Sequence, residues 1–214
     1  MPETIPIKSS AMAKNDLVAA ENQAWFRGRG MKAFNLISSP GAGKTSLLEA
    51  MAARLGPRLG VITGDIQMTF DADRIAKAGA QAVQIETGGS CHLTAEQVKK
   101  ELHERPWTGV ELMVIENIGN LICPSTYELG EFFKVALLSV TEGDEKPAKY
   151  PALFLRAEAV LLTKIDLLPY VNFDIKRAER DCLKLNADAR LFHLSVKTGE
   201  GVDAWMSYLA GRPG

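Results

Sequence analysis

The chain has 214 residues, with 46% apolar and 24% charged side chains, and 25 Lys plus Arg stand against 26 Asp plus Glu. That suits one well-buried globular domain and leaves no field of one sign to recruit nucleic acid or an anionic membrane. No apolar run approaches the roughly 18 residues of a membrane helix, and residues 1–14 carry no secretory apolar core, so a cytoplasmic protein with no membrane partner is expected.

Residues 1–14 are polar and read as a flexible lead-in to a domain over 15–214. Asn15 or Asp16 is placed to cap a helix running to Arg27, in which Leu17, Val18, Ala24 and Trp25 recur at helical spacing. Short apolar runs then read as buried strands at 33–37, 60–63, 81–85, 112–115, 135–140, 160–163 and 191–194. Helical patterns lie between most of them, at 44–55, 71–78, 93–104, 174–185 and 202–209, and Thr94 with Gln97 forms a capping box. Residues 142–151 are charged, hold Pro147 and Pro151, and read as an exposed loop. Strand–helix alternation predicts an α/β fold: a doubly wound, mostly parallel sheet of about seven strands with helices on both faces.

The string SSPGAGKT over residues 38–45 follows the first strand and opens the first helix after it. It fits the phosphate-binding pattern GxxxxGK[ST], with Ser38 where the first Gly is usual. Gly41, Ala42 and Gly43 let backbone N–H groups turn toward phosphate oxygens. Lys44 adds a charge at the β and γ phosphates, Thr45 offers a hydroxyl to magnesium, and the helix start at Lys44 to Ser46 favours an anion. A bare Gly-Lys-Thr is weak; the strand before it and the helix after it make it specific.

Thr163-Lys164-Ile165-Asp166 ends the sixth strand, where GTPases carry Asn-Lys-x-Asp. There the Asp accepts from the guanine N1 and N2 hydrogens, a donor pair that adenine lacks, and the Lys stem lies along the base. Thr163 stands where Asn is usual. Ser195, Val196 and Lys197 follow the last strand in SVKTG, like a second base loop. Taken in order with the phosphate loop, these favour GTP and GDP over adenine nucleotides. Asp65 and Glu116 close the second and fourth strands, so both belong on the phosphate side. One is placed to hold Mg2+, directly or through water, and the other to orient the attacking water, while either also suits a helix cap. With Lys44 they form the candidate catalytic set. No arginine is marked as a finger, so slow intrinsic turnover is expected.

Cys91 and His92 are adjacent, and Cys123 lies seven residues after Glu116. Two thiolates and an imidazole suit Ni2+ or Zn2+ and leave an open position, but small buried cysteines would give the same spacing. Cys182 shares a helical face with Ile175, Ala178 and Leu185 and reads as core.

Several longer strings carry a resemblance: NLISSPGAGKT over 35–45, GDIQ over 64–67, DADR over 71–74, ETGGSCHL over 86–93, ENIGNLICP over 116–124, SVTEGDEKP over 139–147 and TKIDLLP over 163–169. In these the chain resembles the hydrogenase nickel-incorporation GTPases, the HypB family of the SIMIBI class. The resemblance implies a GTP-hydrolysing metallochaperone that forms a GTP-dependent homodimer and helps insert nickel into the [NiFe]-hydrogenase large subunit with the metallochaperone HypA. It also implies that Cys91, His92 and Cys123 are metal ligands, with the open position filled across a two-fold interface. Residues 1–30 contain neither the Cys-rich motif nor the His-rich tract that some members carry. Three other readings remain: a nickel or zinc reserve protein with a regulatory nucleotide site, a urease-maturation-type GTPase, and an ATP-dependent kinase.

Overall fold

A computed structural model describes residues 7–65 and 70–212; the side chains of residues 7–10, Asp65 and Phe70 lie outside that description. Seven strands form one sheet: β1 (Lys32–Ser38), β2 (Leu59–Asp65), β3 (Gln81–Glu86), β4 (Leu112–Glu116), β5 (Phe133–Ser139), β6 (Ala157–Thr163) and β7 (Arg190–Leu194). Their spatial order is β3-β2-β4-β1-β5-β6-β7, and every neighbouring pair is parallel. The helices are α1 (Ile7–Arg27), α2 (Lys44–Leu55), α3 (Phe70–Lys77), α4 (Ala95–Glu104), α5 (Cys123–Thr126), α6 (Lys146–Lys149), α7 (Pro151–Arg156), α8 (Ile175–Leu185) and α9 (Val202–Ala210).

The inner strands are largely apolar and buried because the sheet is covered on both faces there, whereas the edge strands β3 and β7 are partly exposed. Alternate residues divide between the faces. Phe34 and Leu36 pack with Leu47 and Met51 of α2, Ile75 of α3 and Trp205 of α9. Ala33 packs with Phe26 of α1 and Val98 of α4, and Ile37 with Leu153 of α7 and Cys182 of α8. Each fully buried Leu, Ile or Phe contributes about 1.5–3 kcal/mol. β1 lies between β4 and β5, so connections from its carboxyl end and from β4 leave toward opposite edges. That divergence opens the crevice in which doubly wound sheets bind ligands. Among the described residues, no helix is long and apolar enough to cross a membrane.

Two expectations change. The first helix begins at Ile7 rather than at Asn15 or Asp16, so residues 7–14 of the expected lead-in are helical. Asn15 does not cap it: its side chain donates to Glu128 O at 2.8 Å and accepts from Ala95 N at 2.9 Å, tying α1 to two distant segments. Residues 142–151 are not an exposed loop. They include α6 and enter α7, with Pro147 buried and Glu142, Asp144 and Lys146 half-buried. Asp144 turns inward: it pairs with Arg177 at 3.0 Å and accepts from Asp174 N at 2.9 Å. The capping box of α4 forms between Thr94 and Gln97, with the helix starting at Ala95 rather than at Leu93.

Candidate functional site

The carboxyl edge of the sheet carries two adjoining cavities. One, of about 450 Å³, is lined by the loop from Pro40 to Ser46, by Gly64, and by Glu116 to Gly119. The other, of about 720 Å³, lies between Ala42, Glu49, Asp166 and the residues 195–197. Gly43, Ser46 and Lys164 line both, so the two form one groove.

The phosphate loop owes its course to Gly41 and Gly43, whose φ values of 75° and 102° an L side chain resists. α2 starts at Lys44 with no side-chain cap, and its first residues, Lys44, Thr45 and Ser46, line the smaller cavity, where a helix start favours an anion. Lys44 Nζ donates to Ser38 Oγ at 3.0 Å, so the residue replacing the usual first Gly holds the lysine. Thr45 and Glu116 line this cavity, and Glu116 is 4% exposed. Hard oxygen donors there fit magnesium. The Asp65 backbone ends β2 beside them, while its side chain lies outside the described residues.

The base side is tied to the phosphate side. Thr163 Oγ1 donates to Ala42 O at 2.7 Å, so the threonine in place of Asn supplies a link to the phosphate loop. Lys164 adopts a left-handed backbone, φ 61°, and its Nζ donates to Gly41 O at 2.7 Å. Its stem thereby spans the groove. Ser195 Oγ donates to Asp166 Oδ1 at 2.6 Å and fixes that carboxylate toward the larger cavity. Val196 and Lys197 form the opposite wall.

Cys91 Sγ, the His92 ring and Cys123 Sγ offer ligand atoms that all lie within 4.8 Å of one another. Cys91 Sγ is 3.3 Å from His92 Nδ1. The Cys91 pKa is raised, first by its thiol contact with Cys123 and then by burial, and burial lowers that of His92. Tyr127 lies against the His92 ring, centroids 3.9 Å apart. Two thiols and an imidazole so grouped fit a tetrahedral zinc or nickel site with one position open. Cys123 opens α5. Cys182 is 1% exposed, and burial first, then Asp181 and Glu179, push its thiol pKa up to about 12, so it is inert core.

Sequence reasoning missed five residues in or around the groove. Arg74 lines the smaller cavity, where Glu49 holds it in a two-pronged pair at 2.9 and 2.7 Å and Asp71 lies 3.7 Å away. The string DADR was visible, but the partner on α2 was not. Lys146 Nζ donates to Ser39 Oγ at 3.2 Å. Asn117 and Asn120 join the groove to the thiol cluster, as described below.

Glu142 is the fifth. Its carboxylate oxygens are buried without a hydrogen bond of good geometry, although Ser39 stands close. Burial raises its pKa against the pull of Lys146, Ser39, Lys164 and Lys44. The folded carboxyl thus keeps its proton to higher pH than the unfolded one, so stability falls as pH rises through the carboxylate range. Glu142→Gln should therefore raise the melting temperature of the nucleotide-free chain at pH 7, and the gain should vanish below about pH 4. A variant no more stable than the parent at pH 7 would contradict this.

Comparison with known proteins agrees with this geometry. Residues 32–193 match the family model described as CobW/HypB/UreG, nucleotide-binding domain. The chain is 44% identical over 210 residues to the hydrogenase maturation factor HypB of Azotobacter vinelandii, covering 97% of this chain and 69% of that protein. It is 41% identical over 207 residues to the HypB of Escherichia coli K12, covering 96% and 71%. The crystal structure of HypB from Helicobacter pylori in complex with nickel superposes with a TM-score of 0.87 at 38% identity, covering 92% of this chain and 94% of that one.

Proposed function

We propose that this chain, which belongs to the CobW/HypB/UreG family and within it to the HypB hydrogenase maturation factors, is a GTP-hydrolysing metallochaperone that assists nickel insertion into a [NiFe]-hydrogenase large subunit. One observation carries the reading. A single short segment joins two sites: Glu116 faces the phosphate cavity, and Cys123, seven residues on, completes the thiol–imidazole cluster.

In this reading the Gly41–Ser46 loop cradles the phosphates and Lys44 leaves Ser38 for the β and γ oxygens. Thr45, with Asp65 or Glu116, holds Mg2+, which would offset charge on the phosphates, and the other carboxylate orients the attacking water. Asp166, oriented by Ser195, reads the guanine edge, with Lys164 along the base and Val196 and Lys197 beside it. Arg74 is engaged by two carboxylates, which supports slow intrinsic turnover.

Nickel is the cargo, held by Cys91, His92 and Cys123, and the nickel complex of the H. pylori relative supports that choice over zinc. A second copy of the chain, recruited when GTP is bound, would fill the open position. HypA and the hydrogenase large subunit are the partners, and the cytoplasm the compartment.

The test is Ni(II) and Zn(II) affinity with GDP and with a non-hydrolysable GTP analogue. A coupling of ordinary size changes affinity by about 5- to 150-fold between the two states. Equal affinities would refute nucleotide-timed delivery. Preference for ATP in competition would point to a kinase instead.

A further inference from the structure

We propose that Asn120, with Asn117 beneath it, is a positioning residue for the metal ligands, fastening the two peptide groups that flank His92 to the segment that carries Glu116 and Cys123. The inference rests on the metal-binding reading above and names what holds its ligands in place.

The residues 91–93 and 116–123 belong to different connections of the sheet, and no shared β-ladder pairs them. Two carboxamides bridge the gap. Asn120 Nδ2 donates to Cys91 O at 3.1 Å, the carbonyl of the peptide entering His92. Its Oδ1 accepts at 2.9 Å from the N–H of Ile122, the residue before Cys123. One side chain therefore spans the backbones beside both thiols.

Asn117 acts on the other flank of His92. It is 0% exposed, and its Oδ1 accepts from Leu93 N at 3.1 Å, the N–H of the peptide leaving His92, and from Ile118 N at 3.1 Å. Its own N–H donates to Leu36 O at 3.0 Å, on the strand that leads into the phosphate loop. Tyr127 then restrains the ring itself. His92 is thus held at both peptides and at its imidazole, by three residues within or just beyond the segment from Glu116 to Cys123.

The stretch between the asparagines rests on the phosphate loop. A Cβ on Gly119 would fall 2.8 Å from Pro40 Cγ and 3.0 Å from Pro40 N, so the two backbones are in close contact there. On the far side, the Leu93 side chain fills the space over Gly64, where a Cβ would meet it at 2.8 Å. The backbone that carries both carboxamides is therefore in direct contact with the phosphate loop.

Groups that orient metal ligands typically cost about 10- to 100-fold in metal affinity when lost. Asn120 is partly exposed, so its variants keep the core intact. Asn120→Ala removes both bonds. Asn120→Asp keeps the acceptor for Ile122 N but sets a carboxylate against the Cys91 carbonyl. Ni(II) affinity of the full chain is read by chelator competition, and geometry by the thiolate-to-nickel charge-transfer absorption. GDP affinity and melting temperature are measured alongside.

The expected result is at least a tenfold loss of Ni(II) affinity in both variants, with an altered absorption band, while GDP affinity and melting temperature stay near the parent values. Ni(II) affinity within twofold of the parent in either variant overturns the proposal. So does a loss matched by equal losses in GDP affinity and melting temperature, which would mark a general structural role. Cys123→Ala in the same titration separates the two levels: if it leaves Ni(II) binding unchanged, the ligand set itself is wrong, and the parent reading fails first.

Discussion

Lys44→Ala should lower GTP hydrolysis by about 10²- to 10³-fold, the usual cost of removing one preorganised donor to developing charge. Lys44 lies at the helix start that faces the smaller cavity, held by Ser38 Oγ at 3.0 Å. Alanine leaves the glycine turns of the loop intact, so the fold should survive. Metal affinity of the nucleotide-free variant should match the parent, because the Cys91–His92–Cys123 cluster lines neither cavity of the groove. Single-turnover hydrolysis and nickel titration read the two effects separately. In cells the same substitution should abolish hydrogenase maturation. Maturation that persists without hydrolysis would reduce the nucleotide site to a bystander and favour a metal reserve.

Asp166→Ala should erase the preference for guanine. A site built to accept a donor pair rejects the analogue that lacks it by about 10⁴- to 10⁵-fold. The carboxylate is fixed by Ser195 Oγ at 2.6 Å, so its aim toward the larger cavity is set before any nucleotide arrives. Competition of labelled GDP by ADP should show the parent indifferent to ADP and the variant nearly unable to tell the two apart. An unaltered preference would move base recognition to residues 195–197.

The inner strands were legible because both faces of the sheet are covered there, which makes them short, largely apolar runs. The extent of the run over 133–139 was misjudged only at its ends. The phosphate loop was legible because its chemistry is local: Gly41, Gly43, Lys44 and Thr45 are consecutive or nearly so. The Cys91, His92 and Cys123 cluster was legible as chemistry but ambiguous as geometry, since only the folded chain brings ligand atoms within 4.8 Å.

What was hidden is long-range. Asn15 looks like a helix cap until its partners, Glu128 and Ala95, are seen to lie 113 and 80 residues away. The charges of 142–151 suggest solvent until Asp144 meets Arg177 and Lys146 meets Ser39. Asn117 and Asn120 are ordinary polar residues in any local window. Their role depends on a loop 24 to 29 residues earlier in the chain.

The place of β1 in the sheet also bears on how the chain is made. Residues 32–38 pair with nothing nearby in sequence: their partners are 112–116 on one side and 133–137 on the other. During synthesis the strand that leads into the phosphate loop therefore waits unpaired until residues 112–116 have emerged. The base-side residues Thr163, Asp166 and Ser195 come later still. Such non-local parallel pairing is slow and leaves sticky intermediates. Nucleotide can thus stabilise the chain only once residues 163–195 have been made, and the stretch of translation between β1 and β5 is when a chaperone would matter most.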